Sequence, residues 1–217
     1  MNIERARFNM IEQQIRPWEV LDPDVLSLLA VVKREDFVPP ALRALAFVDT
    51  EVPLALGQVM LAPKVEARLL QALHVGRHER VFEVGAGSGH MAGLLAHKAQ
   101  QVFSLEIHPE LAAMAAANLR RAGITNAAVR EGDGSCGLPA EAPFDVIVLS
   151  GSVAAVPQPL LDQLKLGGRL VAIVGHEPVM RATLITRLTA AQFKREELFD
   201  TVAPRLQGFA EPPQFRF

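Results

Sequence analysis

With one cysteine, Cys136, in 217 residues, the chain cannot close an intrachain disulfide, and no His/Cys cluster has metal-ligand spacing. These absences argue against a disulfide scaffold and a structural zinc site; no metal is expected, and a reducing cytoplasm is the expected location. Charge is nearly balanced, 22 Lys and Arg against 24 Asp and Glu for a net −2. Nothing therefore draws the chain as a whole to phosphate backbones, and nucleic acid is not an expected partner. Long apolar runs are also missing. Glu4, Arg5, Arg7, Glu12, Arg16 and Glu19 break the first twenty residues, and no later run approaches the length of a membrane span. Internal repeats and low-complexity blocks are not found. Apolar residues make up 50% of the sequence, enough for the core of one α/β domain with a modest extension.

Periodicity divides the chain. Ile3, Phe8, Ile11 and Ile15 recur at roughly helical spacing until Pro17, and Asp22-Pro23 supplies an N-cap with proline at N1 for a second helix to about Val32. A short helix is expected over 41–45. The stretch 49–63 has no clear period and reads as a substrate entrance, with the first helices as its lid. A helix over 64–73 leads into alternating strands and helices: strands at 80–84, 101–106, 127–130, 144–149 and 170–174, helices at 89–98, 109–122 and 159–164. Two further strands are expected at 182–188 and 194–201. The expected division is an N-terminal helical extension with acceptor loop over 1–62, a core over 63–203, and a tail over 204–217, all within one domain. In the tail, Pro212 and Pro213 favour extended backbone, and Phe215 and Phe217 are candidates to cover the cleft or meet a second subunit in a homodimer.

The chemistry concentrates where the first core strand ends. Gly85-Ala-Gly87-Ser-Gly89 follows it directly, Glu83 lies two residues before the first glycine, and Glu106 closes the second core strand. Glycines let backbone N–H groups approach a ligand at a helix start, and a carboxylate closing the neighbouring strand can accept both hydroxyls of a ribose. Gly132-Asp133-Gly134 follows the third core strand. The G-x-G-x-G spacing and the three acids favour S-adenosylmethionine over a dinucleotide: Glu83 toward the amino-acid tail, Glu106 and Asp133 toward ribose and adenine. The glycines and Gly134 complete the expected cofactor set.

Residues 81–90 (VFEVGAGSGH), 132–134 (GDG), 143–147 (PFDVI) and 163–170 (QLKLGGRL), in this order, resemble the protein-L-isoaspartate O-methyltransferase family. Upstream, 37–39 (FVP), Asp49, 53–58 (PLALGQ) and 62–63 (AP) resemble it too, so the similarity spans roughly 33–175. The resemblance implies a Rossmann-like S-adenosylmethionine-dependent methyltransferase fold, with a mostly parallel central sheet and helices on both faces. It also implies a cytoplasmic enzyme that esterifies isoaspartyl residues of damaged proteins, initiating repair. Where the family usually carries threonine and serine in its acceptor loop, this chain has Val59 and Leu61 on either side of Met60. Low or absent activity toward isoaspartyl peptides is therefore expected, with Gln58, Lys64 and Ser152 as candidates to orient the acceptor. His90 and His108 are candidates to border the cofactor. The apolar loop leaves two alternatives open: a methyltransferase for an apolar small molecule, or a cofactor-binding regulatory protein that has lost catalysis.

Overall fold

The computed structural model describes residues 2–211; Pro212, Pro213, Phe215 and Phe217 lie outside the described residues. As its place before proline predicts, Asp22 caps a helix. Its carboxylate accepts from the N–H groups of Asp24 and Val25, and α2 runs Pro23–Val31. The first helix is less regular: α1, Ile3–Asn9, passes into a π-helical segment, Met10–Ile15, and a 3₁₀ turn, Arg16–Trp18. Within α1, Phe8 faces away from the side shared by Arg7 and Ile11 and is 63% exposed, and the wider turn that follows keeps Ile15 on the buried side with Met10 and Ile11.

Two buried ion pairs meet on the 3₁₀ turn Arg34–Asp36. Arg7 of α1 pairs with Glu35, and Arg34 pairs with Glu66 of α3, Pro63–Leu73. The aperiodic entrance segment contains two very short strands, β1 Val52–Pro53 and β2 Val59–Met60, paired antiparallel with Val52 opposite Met60. Two residues are too few to show an alternation, so the pattern carries no strand signal there.

The remaining elements are β3 Arg80–Val84, α4 His90–Lys98, β4 Gln101–Glu106, α5 Pro109–Arg121, β5 Ala127–Glu131, β6 Phe144–Val153, α6 Gln158–Asp162, β7 Leu164–His176, β8 Val179–Arg187 and β9 Phe193–Thr201. They form a seven-stranded sheet in the order β5-β4-β3-β6-β7-β8-β9. β3 to β7 run parallel, and β8 and β9 extend the sheet antiparallel.

Strand alternation sorts the core. Val146 and Val148 join the larger cluster, with residues of α2 to α5 such as Leu26, Leu69, Leu95 and Leu119; Ile147 and Leu149 join the smaller one, with Leu160 and Leu161 of α6. Helices lie on both faces, as expected, but unequally. β6 runs four residues beyond its apolar stretch, and its register with β7 is irregular between Val148 and Ser152. There the chain after β9 comes back beside it: Ser152 N–H donates to the Pro204 carbonyl at 2.8 Å, and Leu206 N–H donates to the Ser152 carbonyl at 2.9 Å.

Candidate functional site

Sheet order reverses direction about β3, which has β4 on one side and β6 on the other. In an open α/β sheet this opens a crevice beyond the carboxyl ends of the strands. The glycine turn between β3 and α4 forms its edge. Gly85 sits at φ +90°, and a Cβ there would stand 2.7 Å from Cδ2 of Leu206. Only glycine suits both the backbone and the close approach. Gly134 serves closeness alone, since a Cβ on it would meet a Val84 methyl at 2.5 Å. Gly89 is the N-cap of α4.

Glu106 ends β4 facing this turn. Its Oε2 accepts from Gly87 N–H at 2.8 Å and its Oε1 from His108 N–H at 3.1 Å, so the carboxylate is held in place by two backbone donors. The cleft it borders encloses about 490 Å³, counting space open to solvent; Gly85, Gly87, Gly132 and Gly134 provide backbone walls, and Leu105, Ile107, Leu111 and Leu206 provide apolar ones. A carboxylate, a glycine turn and an apolar wall are the groups an adenosine-bearing ligand needs, so the donor set fits S-adenosylmethionine.

A second, smaller cavity of about 310 Å³ lies alongside and shares Val59, Gly85, Gly87 and Ser150 with the cleft. Met60, Leu61, Glu66, Glu83 and His90 also line it. Glu83 is fully buried and accepts from Ser104 Oγ at 2.6 Å and Ser150 Oγ at 2.8 Å. Burial pushes its carboxyl up to about 7, against the lowering effect of the two hydroxyls. Glu83 thus lies at the base of the site, with both oxygens engaged by serines.

Gln58 and Val59 line the cleft, and Gln58 Nε2 donates to the Leu56 carbonyl at 3.3 Å within the loop. Three candidates stand elsewhere. Lys64 lines neither cavity: its ammonium lies 2.8 Å from Asp49 and 3.9 Å from the centre of the Trp18 ring, an ion pair and a cation–π contact that hold it away. Asp133 is exposed, and its carboxylate accepts from Ser135 N–H at 2.8 Å, closing its own turn; its glycine neighbours line the cleft instead. Ser152 is fully buried and donates to the Ala203 carbonyl at 2.7 Å, fastening the returning chain to β6.

Ser150, two residues earlier, is the serine in the site, and the point where the apolar run of β6 ends is the signal that marks it. Ser152→Ala is expected to cost about 1–3 kcal/mol of stability by leaving a buried carbonyl unpaired, with cofactor affinity unchanged. Chemical denaturation beside calorimetry checks this; an affinity loss without destabilisation would return Ser152 to the site. His90 does border the second cavity, whereas His108 lines neither.

Residues 5–202 match the family model described as Protein-L-isoaspartate(D-aspartate) O-methyltransferase. Among curated relatives, a protein-L-isoaspartate O-methyltransferase of Koribacter versatilis is 41% identical over 198 residues, covering 91% of this chain and 88% of its own. Another, of Methanoculleus marisnigri, is 44% identical over 171 residues, covering 79% and 78%. A Plasmodium falciparum structure described as a protein-L-isoaspartate O-methyltransferase in complex with S-adenosyl-L-homocysteine superposes with a TM-score of 0.80 at 22% identity, over 91% of this chain and 96% of that one, which establishes the shared fold. By the extent of the family match and the identity to these relatives, the chain belongs to the protein-L-isoaspartate O-methyltransferase family.

Proposed function

We propose that this chain is an S-adenosylmethionine-dependent O-methyltransferase that esterifies the α-carboxylate of isoaspartyl residues in proteins and peptides. The observation that carries the reading is the cleft at the β3–β6 switch, where Glu106 is oriented by Gly87 in a chain matched to the family over 5–202. When bound, S-adenosylmethionine supplies a sulfonium-activated methyl group to the acceptor oxygen. An acceptor carboxylate has a pKa of about 4 and is ionised at neutral pH, so the protein needs no general base. Its task is to exclude water and align the acceptor.

Gln58, Val59, Ser150, Glu106, Gly85 and Gly87 line one cleft; in this reading the first three face the acceptor and the last three the cofactor. A single methyltransferase domain is supported by one apolar cluster that runs from Met10 and Val25 to Ile173. No helix among the described residues is long and apolar enough to cross a membrane.

The second cavity favours a second reading, an apolar small-molecule acceptor, because Val59, Met60 and Leu61 all line it. Radiolabelled methyl transfer to an isoaspartyl peptide, its aspartyl control and a panel of apolar small molecules decides between them. Isoaspartyl-selective turnover is the expected result, slow because positions 59 and 61 lack hydroxyls. Val59→Thr with Leu61→Ser should raise it, at a stability cost of about 2–5 kcal/mol for opening a buried leucine site. A folded double variant with wild-type cofactor affinity and no gain in rate would count against the hydroxyl argument. Cofactor binding with no transfer to any acceptor would point to a regulatory protein.

A further inference from the structure

We propose that Arg34, Glu66 and His90 form a positioning network that fixes the Leu61 carbonyl and so sets the acceptor loop against the cofactor cleft. It would do from behind the loop what hydroxyls at 59 and 61 would do from within it. The inference rests on the function proposed above.

The geometry is continuous from loop to glycine turn. One guanidinium nitrogen of Arg34 donates to the Leu61 carbonyl at 2.7 Å, and the other pairs with Glu66. The same Glu66 oxygen lies 2.9 Å from His90 Nδ1. His90 is the first residue of α4, directly after Gly89, and the edge of Phe37 holds its ring at 5.3 Å between centroids. The backbone of the acceptor loop is thereby tied to the start of the helix that carries the glycine turn, through Arg34 from the turn after α2 and Glu66 from α3.

All three side chains are buried, at 2%, 5% and 1% exposure, and Glu66, His90 and Leu61 line the second cavity. Burial works to raise the Glu66 carboxyl, but His90 and Arg34 outweigh it and hold the group below its ordinary range, so Glu66 stays an anion. An ion pair this deep adds little net stability over apolar packing of the same volume. Arg34 Nε and His90 Nε2 moreover have no hydrogen-bond partner among the described residues. Such a network is poorly explained by stability and well explained by the geometry it imposes on the loop.

The test replaces the network with apolar side chains of similar volume, Arg34→Met, Glu66→Leu and His90→Phe together, a change that buried ion networks tolerate. Calorimetry with S-adenosylhomocysteine should give wild-type affinity, while kcat/KM for an isoaspartyl peptide falls about 10²-fold, chiefly through KM. Amide exchange over residues 54–61 should quicken. As single variants, His90→Phe should lose acceptor affinity, and His90→Asn, which keeps a donor near the Nδ1 position, should recover most of the loss. A folded triple variant with wild-type acceptor KM and unchanged exchange over 54–61 overturns the proposal. So does a parallel loss of cofactor and acceptor affinity, which marks a merely structural role. If the triple variant does not fold, the two His90 variants decide by the same readouts. Should wild-type protein turn over no isoaspartyl peptide, the proposed function fails, yet the exchange comparison still decides whether the network holds the loop.

Discussion

Glu83→Gln is expected to remove about 3 kcal/mol of destabilisation that the wild-type protein accumulates as pH rises from about 4.5 to 7. The sign follows from proton counting. In the unfolded chain Glu83 titrates near its ordinary value, whereas in the folded protein burial keeps it protonated up to about 7. Between those values the native state binds more protons than the unfolded state, so stability falls with rising pH until Glu83 is ionised in both. Glutamine is neutral throughout and can still meet Ser104 and Ser150, whose hydroxyls rotate to suit. Urea denaturation of both proteins at pH 5 and pH 8 measures the effect as a difference of differences, in which titrating groups away from Glu83 cancel and its charged neighbours Glu66 and Glu106 contribute through their coupling to it. Parallel pH profiles would show that Glu83 is charged when folded and would remove the premise.

The second large effect is on the cofactor. Glu106→Ala should weaken binding of S-adenosylhomocysteine by about 1–3 kcal/mol through loss of a charge-assisted contact. Its carboxylate also anchors Gly87 N–H and His108 N–H, so alanine releases the glycine turn as well. Glu106→Gln separates the two contributions: it keeps an oxygen for Gly87 and loses the charge, and should fall between wild type and alanine. Unchanged calorimetric affinity in a folded Glu106→Ala protein would sink the assignment of this cleft.

Much of this was legible because it is local. The strands at 80–84 and 101–106 have the bounds their apolar runs suggest, and the N-cap at Asp22 follows from one aspartate before one proline. The place of Glu106 beside the glycine turn follows from its distance to the glycines along a βα unit, a spacing the fold fixes. What escaped depends on long-range contacts. Lys64 looks like a free cation at a helix start until Trp18, 46 positions earlier, closes over it. Arg34, Glu66 and His90 stand 32 and 24 positions apart in sequence, so no window joins them. Ser150 and Ser152 are equivalent in composition, and only the chain returning after β9 makes one of them structural. Phe8 lies on the outer side of α1, opposite Arg7 and Ile11, and only the π-helical turn after it brings Ile15 onto their buried side, so one α-helical period does not describe the segment.

That returning chain has a consequence for biogenesis. Leu206 walls the cleft, and its neighbours pair with the end of β6, yet these residues are made after every strand of the sheet. During vectorial synthesis the glycine turn and Glu106 are made long before Leu206, so the wall it gives the site is among the last parts of the fold to be supplied. A cleavage just beyond β9 would leave every strand of the sheet in the chain while removing the Leu206 wall of the cleft.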